Sequence, residues 1–131
     1  MQQLPSVKNK FDPRHLKRIK NMQSIFAWSH GNQKLDGPDS EEIVKHLKEI
    51  DLIIVHNAPK WPLDKINKID LSILRCAFWE LLYQKSTPPK VIIDEAIELA
   101  KQFGTESSPG FVNGVIGTAV KQIPIEITNE S

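Results

Sequence analysis

The chain has almost no cysteine and no long hydrophobic run, and each absence excludes a class of protein. Its 131 residues include one cysteine, Cys76, so no disulfide can form within the chain. The longest apolar run, Leu52 to Val55, is far shorter than the roughly 20 residues that a membrane-spanning helix needs. No cationic leader followed by an apolar run opens the chain. We therefore expect a cytoplasmic protein without membrane association.

The sequence also lacks the patterns of metal sites and of common enzymes. The four histidines show no HxxxH or HExxH spacing, Cys76 has no CxxC partner, and no GxxxxGK[ST] phosphate loop is present. Asp94 and Glu95 resemble an acid and base pair, but neighbours on a helix point about 100° apart. They are better interpreted as surface charges or as ion-pair partners of Lys90 and Lys101. We expect no catalysis, no metal and no cofactor.

What is present fits one helical domain. Hydrophobic residues make up 40% of the chain and charged residues 25%, as in ordinary globular domains. Nine prolines divide the sequence, no pair of strands with a hairpin turn is evident, and no repeat is visible. The fold class is therefore predicted to be all-α, with about five helices around one core. The predicted helices run from Asp12 to about 29, from Asp39 to about 57, from Asp70 to about 82, from Lys90 to Phe103, and from Ser107 or Ser108 to about 123, with a single turn at 61–66.

The first helix carries most of an uneven charge distribution. Residues 1–30 hold six basic residues and one acidic residue, a net +5, whereas the remaining 101 residues sum to −4. Helical spacing predicts a core face and, on the opposite side, a cationic face. The core face comprises Leu16, Ile19, Met22, Gln23 and Phe26, and the cationic face comprises Arg14, Lys17, Arg18 and Lys20. Such a face favours a polyanionic partner, although a solvated basic helix without a ligand gives the same pattern.

The last predicted helix offers an aromatic ring and two internal glycines. Phe111 follows Ser107, Ser108 and Gly110, and it could stack on an unpaired RNA base or simply belong to the core. Gly114 and Gly117 each cost about 1 kcal/mol relative to alanine within a helix. They therefore indicate the close approach of another helix or of a ligand, and helix packing is the simpler explanation.

Three segments together resemble the NusB family of bacterial transcription antitermination factors. They are residues 69–75 continuing to Glu80-Leu-Leu-Tyr83, residues 89–104 with the run Glu95-Ala-Ile-Glu-Leu-Ala-Lys101, and Phe111-Val-Asn-Gly-Val115. The resemblance is strong over residues 61–120. The opening helix is also similar to the family's arginine-rich first helix, which ends in a pattern like Gln23-Ser-Ile-Phe-Ala-Trp28.

The resemblance implies a helical fold of two small bundles, and it implies RNA and protein partners. NusB-like proteins bind the boxA element of ribosomal RNA transcripts together with the ribosomal protein NusE, and they help polymerase read through terminators alongside other Nus factors. Here the N-terminal bundle would span residues 1–60, the C-terminal bundle 61–123, and a tail 124–131. Only ten residues separate Trp28 from Asp39, where the family usually has a further helix. We therefore expect a shortened N-terminal bundle and fewer than the family's seven helices.

Matching positions one by one, the resemblance implies two sets of site residues. The RNA-binding set is Lys10, Arg14, Lys17, Arg18, Gln23, Phe111 and Asn113. The NusE-binding set is Phe26, Asp64 and Asp70. Phe26 lacks the hydroxyl of the family's tyrosine, and Gly110 replaces a basic residue, so weaker contacts are expected at both positions.

Two alternatives to an RNA-binding antitermination factor remain open. The first is a NusB-like module that binds proteins but not RNA. The second is a stand-alone relative of the N-terminal domain of ribosomal RNA cytosine methyltransferases. A chain of 131 residues has no room for a methyl-donor domain, so it could not transfer a methyl group by itself.

Overall fold

The described residues fold into six α-helices and one 3₁₀ turn. The computed structural model describes residues 12–58 and 60–122. The helices are α1 (Pro13–Ser29), α2 (Ser40–Lys45), α3 (Leu47–Asn57), α4 (Lys68–Tyr83), α5 (Pro89–Phe103) and α6 (Ser108–Gln122), with the 3₁₀ turn at Leu63–Lys65 between α3 and α4. No strand occurs within these two ranges, which confirms the all-α prediction. None of the described helices is both long and apolar enough to span a bilayer.

Helix α4 is the centre of the fold. Eleven of its residues, between Asp70 and Leu81, are buried, and Ile73, Leu74 and Phe78 have no exposed surface. Helices α1, α3, α5 and α6 all pack against it. Because α4 contacts helices from both predicted bundles, it joins the two parts of the chain. The division into subdomains at residues 60 and 61 stays a prediction.

Local capping rules predict the start of α1 correctly and the start of α4 incorrectly. The Asp12 carboxylate accepts a hydrogen bond from the Arg14 backbone N–H at 2.8 Å, and Pro13 occupies the first turn. At α4 the cap is Asn67, whose Oδ1 accepts from the N–H groups of Ile69 and Asp70. Asparagine caps as well as aspartate does, so the helix begins before Asp70, which lies in its first turn.

The predicted helix from Asp39 to residue 57 is divided at His46. The backbone there leaves the α-helical region, at φ −107° and ψ 13°, and the imidazole stacks on the Tyr83 ring with centroids 4.1 Å apart. The expected capping box at Asp39 does not form. Its carboxylate instead accepts from Asn21 Nδ2 at 2.9 Å, while the Asp39 N–H donates to Asn21 Oδ1. A contact between helices therefore replaces the local cap.

The predicted core face of α1 is wrong for two residues. Gln23 is exposed and Leu16 is 42% exposed, whereas the buried residues are His15, Asn21, Met22, Ser24 and Ile25. The face is rotated because His15 and Asn21 find hydrogen-bond partners in the interior, and a criterion based on hydrophobicity places them outside. Ser24 is buried as well, and its Oγ has no hydrogen-bond partner within the described residues. Trp28, which lies off the predicted arc, packs partly buried against the core.

The connection between α1 and α2 is held at both ends. At its start the Asn32 N–H donates to the Ala27 carbonyl at 3.1 Å. At its end Gly37 is buried against α1, where an added Cβ would lie 2.9 Å from the Lys20 carbonyl oxygen. Between these points residues 31–34 and 36 are exposed.

Gly114 and Gly117 of α6 do not mark a close approach within the described structure. A Cβ built on Gly114 or on Gly117 meets no atom within 4 Å. The expectation of tight helix packing at these positions is therefore wrong. Gly104, which ends α5 as predicted, is the crowded one, because its Cβ would lie 2.4 Å from Ser108 Oγ.

Candidate nucleic-acid interface

Three cations form an exposed ridge on α1, which we call the basic ridge: Arg14, Lys17 and Lys20. The side chains of Arg14 and Lys17 are 82% and 50% exposed, and Lys20 is exposed as well. Arg14 pairs with its own helix cap, and this contact lowers the pKa of Asp12 to about 2. Lys17 Nζ lies 3.4 Å from Asp39 Oδ2. Exposed pairs of this kind are weak, so both cations can turn toward a phosphate.

Arg18 does not belong to this ridge, which corrects its placement on a free cationic face. Its guanidinium makes two hydrogen bonds of 2.9 Å to Glu80 on α4, and its Nη1 lies 3.8 Å from Glu95 Oε1. The Arg18 and Glu80 side chains are only 14% and 13% exposed. A bidentate pair in this position holds α1 against α4. An RNA contact by Arg18 stays a prediction, and the geometry gives the side chain a different role.

A buried polar contact joins α1 to α5 beside this pair. His15 Nδ1 lies 2.9 Å from Glu95 Oε1, and His15 Nε2 lies 3.1 Å from Gln102 Oε1. Asp94 pairs with Lys90 as expected, but Glu95 is 5% exposed and faces inward. The sequence contained a signal for this, since Glu95 shares helical spacing with the buried Ile92, Ala96 and Leu99.

An open groove of about 420 Å³ lies between the start of α1 and the connection from α4 to α5. Three cations, Arg14, Lys17 and Arg18, line it together with their ion-pair partners Asp12, Asp39 and Glu80 and with Glu95. Ser86, Thr87 and Pro88 of the connection line it as well.

Phe111 lies in a second groove, of about 340 Å³, which we call the aromatic groove. Its ring is partly buried against the core, as the core interpretation predicts, and stacking on an RNA base stays a prediction. Trp61, 51% exposed, lines the same groove. The remaining lining residues are Lys65, Ile66, Asn67, Asp70, Thr105 and Ser107. The two grooves share no lining residue, so the structure does not place Phe111 in one pocket with the basic ridge.

Asp70 is a buried acid in the aromatic groove. It is 6% exposed, and its Oδ1 has no hydrogen-bond partner within the described residues. Burial raises the pKa of its carboxyl group, and a hydrogen bond from Ser108 opposes part of that rise. One of the two acidic residues for which the resemblance implies a partner contact is therefore buried.

The other predicted site residues are spread over the surface. Gln23 and Asn113 are exposed, on α1 and α6. Phe26 is partly buried and its ring lies 4.5 Å from that of His30, centroid to centroid. Asp64 is exposed on the 3₁₀ turn and lines a third groove of about 400 Å³. Lys10 lies outside the described residues. The contact roles assigned to all of these residues stay predictions.

Nothing in the described part of the chain forms a metal site. No group of three or more His, Cys, Asp or Glu side chains is arranged to hold an ion there. Cys76 is buried in α4, and burial raises the pKa of its thiol well above the usual range. It therefore behaves as a small core residue, the simpler of its two interpretations.

The fold and these surfaces define a small helical protein built on a central buried helix, with an exposed basic helix beside it. The NusB family model matches residues 40–121, well over half of the chain. The chain therefore belongs to the NusB family, as the sequence motifs predict.

Comparisons with individual proteins agree with this assignment. The transcription antitermination protein NusB of Finegoldia magna is 48% identical over 79 residues, which are 60% of this chain and 58% of that protein. This chain thus matches less than two thirds of that relative's length. The structure of T. maritima NusB superposes with a TM-score of 0.77 at 30% identity, covering 92% of this chain and 99% of that one. A structure of the antitermination factors NusB and NusE in complex with dsRNA has a TM-score of 0.70 at 22% identity, covering 86% and 100%, and shows the fold alone.

Proposed function

We propose that this protein is a non-catalytic, cytoplasmic transcription antitermination factor that binds boxA-type single-stranded RNA of ribosomal RNA transcripts together with NusE. Contacts with other Nus factors and RNA polymerase would be indirect. The observation that carries the proposal is an exposed basic ridge, Arg14, Lys17 and Lys20, on the first helix of a NusB family member. The name of the Finegoldia magna relative, a transcription antitermination protein, supports the antitermination role.

The ridge supplies sequence-independent affinity for a phosphate backbone. Each cation that neutralises a phosphate of a single strand contributes roughly −0.7 to the slope of log K against log salt. Three ridge cations therefore predict a slope near −2, because Arg18 is engaged with Glu80. Lys10, if it also contacts a phosphate, would bring the slope nearer to −3.

The NusE-facing surface would be formed by Phe26 and Asp64. Asp64 lines the third groove with Trp28 and Arg75, close to the end of α1 that carries Phe26. Its exposed carboxylate can pair with a cation of a partner protein. This surface and the basic ridge both involve α1, so one helix would serve RNA and protein.

One observation favours a second candidate, a NusB-like module that binds NusE without RNA. Arg18 is withdrawn into an ion pair, and Gly110 provides no charge beside Phe111. Both features reduce the positive charge available to a strand. The first candidate binds both RNA and NusE, whereas the second binds NusE alone.

The test is a titration of boxA-type single-stranded RNA at two salt concentrations, with and without NusE. The variant Arg14→Glu/Lys17→Glu should lower RNA affinity at least tenfold at low salt and reduce the salt slope by about 1.4, from two lost phosphate contacts. The matched control is Lys45→Glu/Lys48→Glu, which makes the same change of charge on α2 and α3, outside the grooves described above. Equal RNA affinity of both variants would refute the RNA-binding role, and NusE binding without RNA binding would establish the second candidate.

A further inference from the structure

The aromatic groove contains a buried oxygen that has no hydrogen-bond partner within the described residues. Asp70 Oδ1 is that atom, in a side chain only 6% exposed. The Ser108 hydroxyl bonds to the same carboxyl group, and Asn67 accepts from the Asp70 backbone N–H at 3.2 Å. Leaving a buried acceptor without a donor costs free energy, so such atoms are rare unless a ligand or water supplies the donor.

The same groove presents aromatic surface. Trp61 is 51% exposed and Phe111 is partly exposed, and both line the groove with Asp70. Its volume of about 340 Å³ lies within the range of small-molecule pockets. A flat heterocycle with a hydrogen-bond donor on its edge matches this combination of aromatic wall and buried acceptor.

We propose that the aromatic groove binds one unstacked RNA base that carries an exocyclic amino group. The amino group would donate to Asp70 Oδ1 while the base lies against Trp61, the more exposed of the two rings. The inference rests on the proposed RNA-binding function and adds a base preference to it. It also gives Asp70 a role different from the NusE contact implied by family resemblance.

The charges of the lining residues suit an uncharged base. Lys65 and Asp70 are the charged residues of the lining, so the formal charge of the groove sums to zero. The phosphates that flank a base would be attracted to Lys65. Thr105 and Ser107 add hydroxyl groups at the other side, and both are exposed.

One contact links α1 to the segment that lines the groove. His15 contacts Gln102 in the last turn of α5, and Thr105 of the groove follows three residues later. The proposal places the phosphates of a strand on the basic ridge and one of its bases in the aromatic groove. The phosphates would supply affinity, and the groove would supply selectivity.

An amino group distinguishes cytosine from uracil at this site. Cytosine N4 offers donor hydrogens on an open edge, whereas uracil has a carbonyl oxygen at that position, which a carboxylate repels. Adenine and guanine also carry amino groups. The comparison uses the two pyrimidines, because the bases of pyrimidine strands stack less on one another. A hydrogen bond to a charged group corresponds to roughly tenfold or more in affinity.

The experiment compares binding of pentacytidylate and pentauridylate, which carry the same phosphates. Wild-type protein should bind the cytidine strand roughly tenfold more tightly. Asp70→Asn should bring the two affinities together, because an amide can also donate to the uracil carbonyl. Asp36→Asn is the matched control, since it makes the same substitution at an exposed position outside the three grooves, and it should keep the preference.

The outcomes separate this inference from the proposed function. Equal binding of both strands by wild-type protein would overturn the base preference and leave RNA binding intact, whereas binding of neither would refute RNA binding itself. If Asp70→Asn weakens NusE binding and leaves the cytidine preference unchanged, the groove serves a protein and the inference is wrong. Circular dichroism establishes that each variant folds. Should Asp70→Asn not fold, Trp61→Ala must reduce the preference for cytidine, and an unchanged preference overturns the inference.

Discussion

Replacing Arg18 should weaken the fold more than it weakens RNA binding. The Arg18 guanidinium and the Glu80 carboxylate make two hydrogen bonds of 2.9 Å, with both side chains about one-seventh exposed. Removing one partner of a buried pair costs about 3–5 kcal/mol, and an exposed pair contributes about 0–1 kcal/mol. Because this pair is mostly buried, we expect Arg18→Met to lower the free energy of unfolding by about 2–3 kcal/mol. For a chain of this size, that corresponds to a fall in Tm of roughly 10 °C.

Urea denaturation followed by far-UV circular dichroism measures this change. The double variant Arg18→Met/Glu80→Met should recover much of the loss, because well-packed apolar side chains can replace a buried ion pair. Glu95 keeps its contact with His15 in both variants. Arg14→Ala is the comparison, since its side chain is 82% exposed and should affect RNA affinity with little effect on stability. The reasoning is refuted if Arg18→Met unfolds like the wild type and loses RNA binding.

Three further predictions concern glycines, Asp70 and Cys76. Gly104→Ala should lower the free energy of unfolding by about 1–3 kcal/mol, because the added Cβ would meet Ser108. Gly114→Ala places its Cβ in open space and should raise the free energy of unfolding by about 0.5–1 kcal/mol. Urea denaturation measures both changes. Burial raises the pKa of Asp70, so the folded state holds this proton more tightly than the unfolded state. Relative to Asp70→Asn, wild-type stability should therefore fall as pH rises from about 3.8 through the folded pKa, and a rise would contradict this sign. Cys76 should react with a thiol reagent only after denaturation, and fast labelling of folded protein would contradict its burial.

Local signals in the sequence suffice for most of the helices. Asp12 and Pro13 mark the start of α1, Gly104 marks the end of α5, and the apolar residues of α4 predict its burial. These features depend on neighbours within one or two turns. The start of α4 is the exception, because Asn67 and Asp70 are both good caps and local rules do not rank them.

The features that the sequence does not predict depend on distant partners. His15 is buried because Glu95 lies 80 positions away in the chain and meets it in space. The face of α1 therefore follows polar contacts that a hydrophobic pattern cannot show. The break at His46 likewise accompanies the stacking of its ring on Tyr83.

The residues of the candidate site likewise fall into those whose placement the sequence predicts and those whose placement depends on distant partners. The charges of Arg14 and Lys17 and their exposure follow from helical spacing, so the sequence predicts the basic ridge. The withdrawal of Arg18 depends on Glu80, which is 62 positions away. The family resemblance implies different partners for Asp70 and Phe111, yet the two residues line one groove.

The fixed ends of the connection between α1 and α2 have a consequence for engineering and for evolution. Asn32 is hydrogen-bonded to Ala27, and Gly37 packs closely against Lys20. These two contacts fix the ends of the connection, and neither involves the exposed residues between them. Added residues in the exposed stretch would extend into solvent without displacing either helix. A fluorophore or an epitope tag could be inserted after Gln33 for binding measurements, and relatives can differ in length there at little thermodynamic cost.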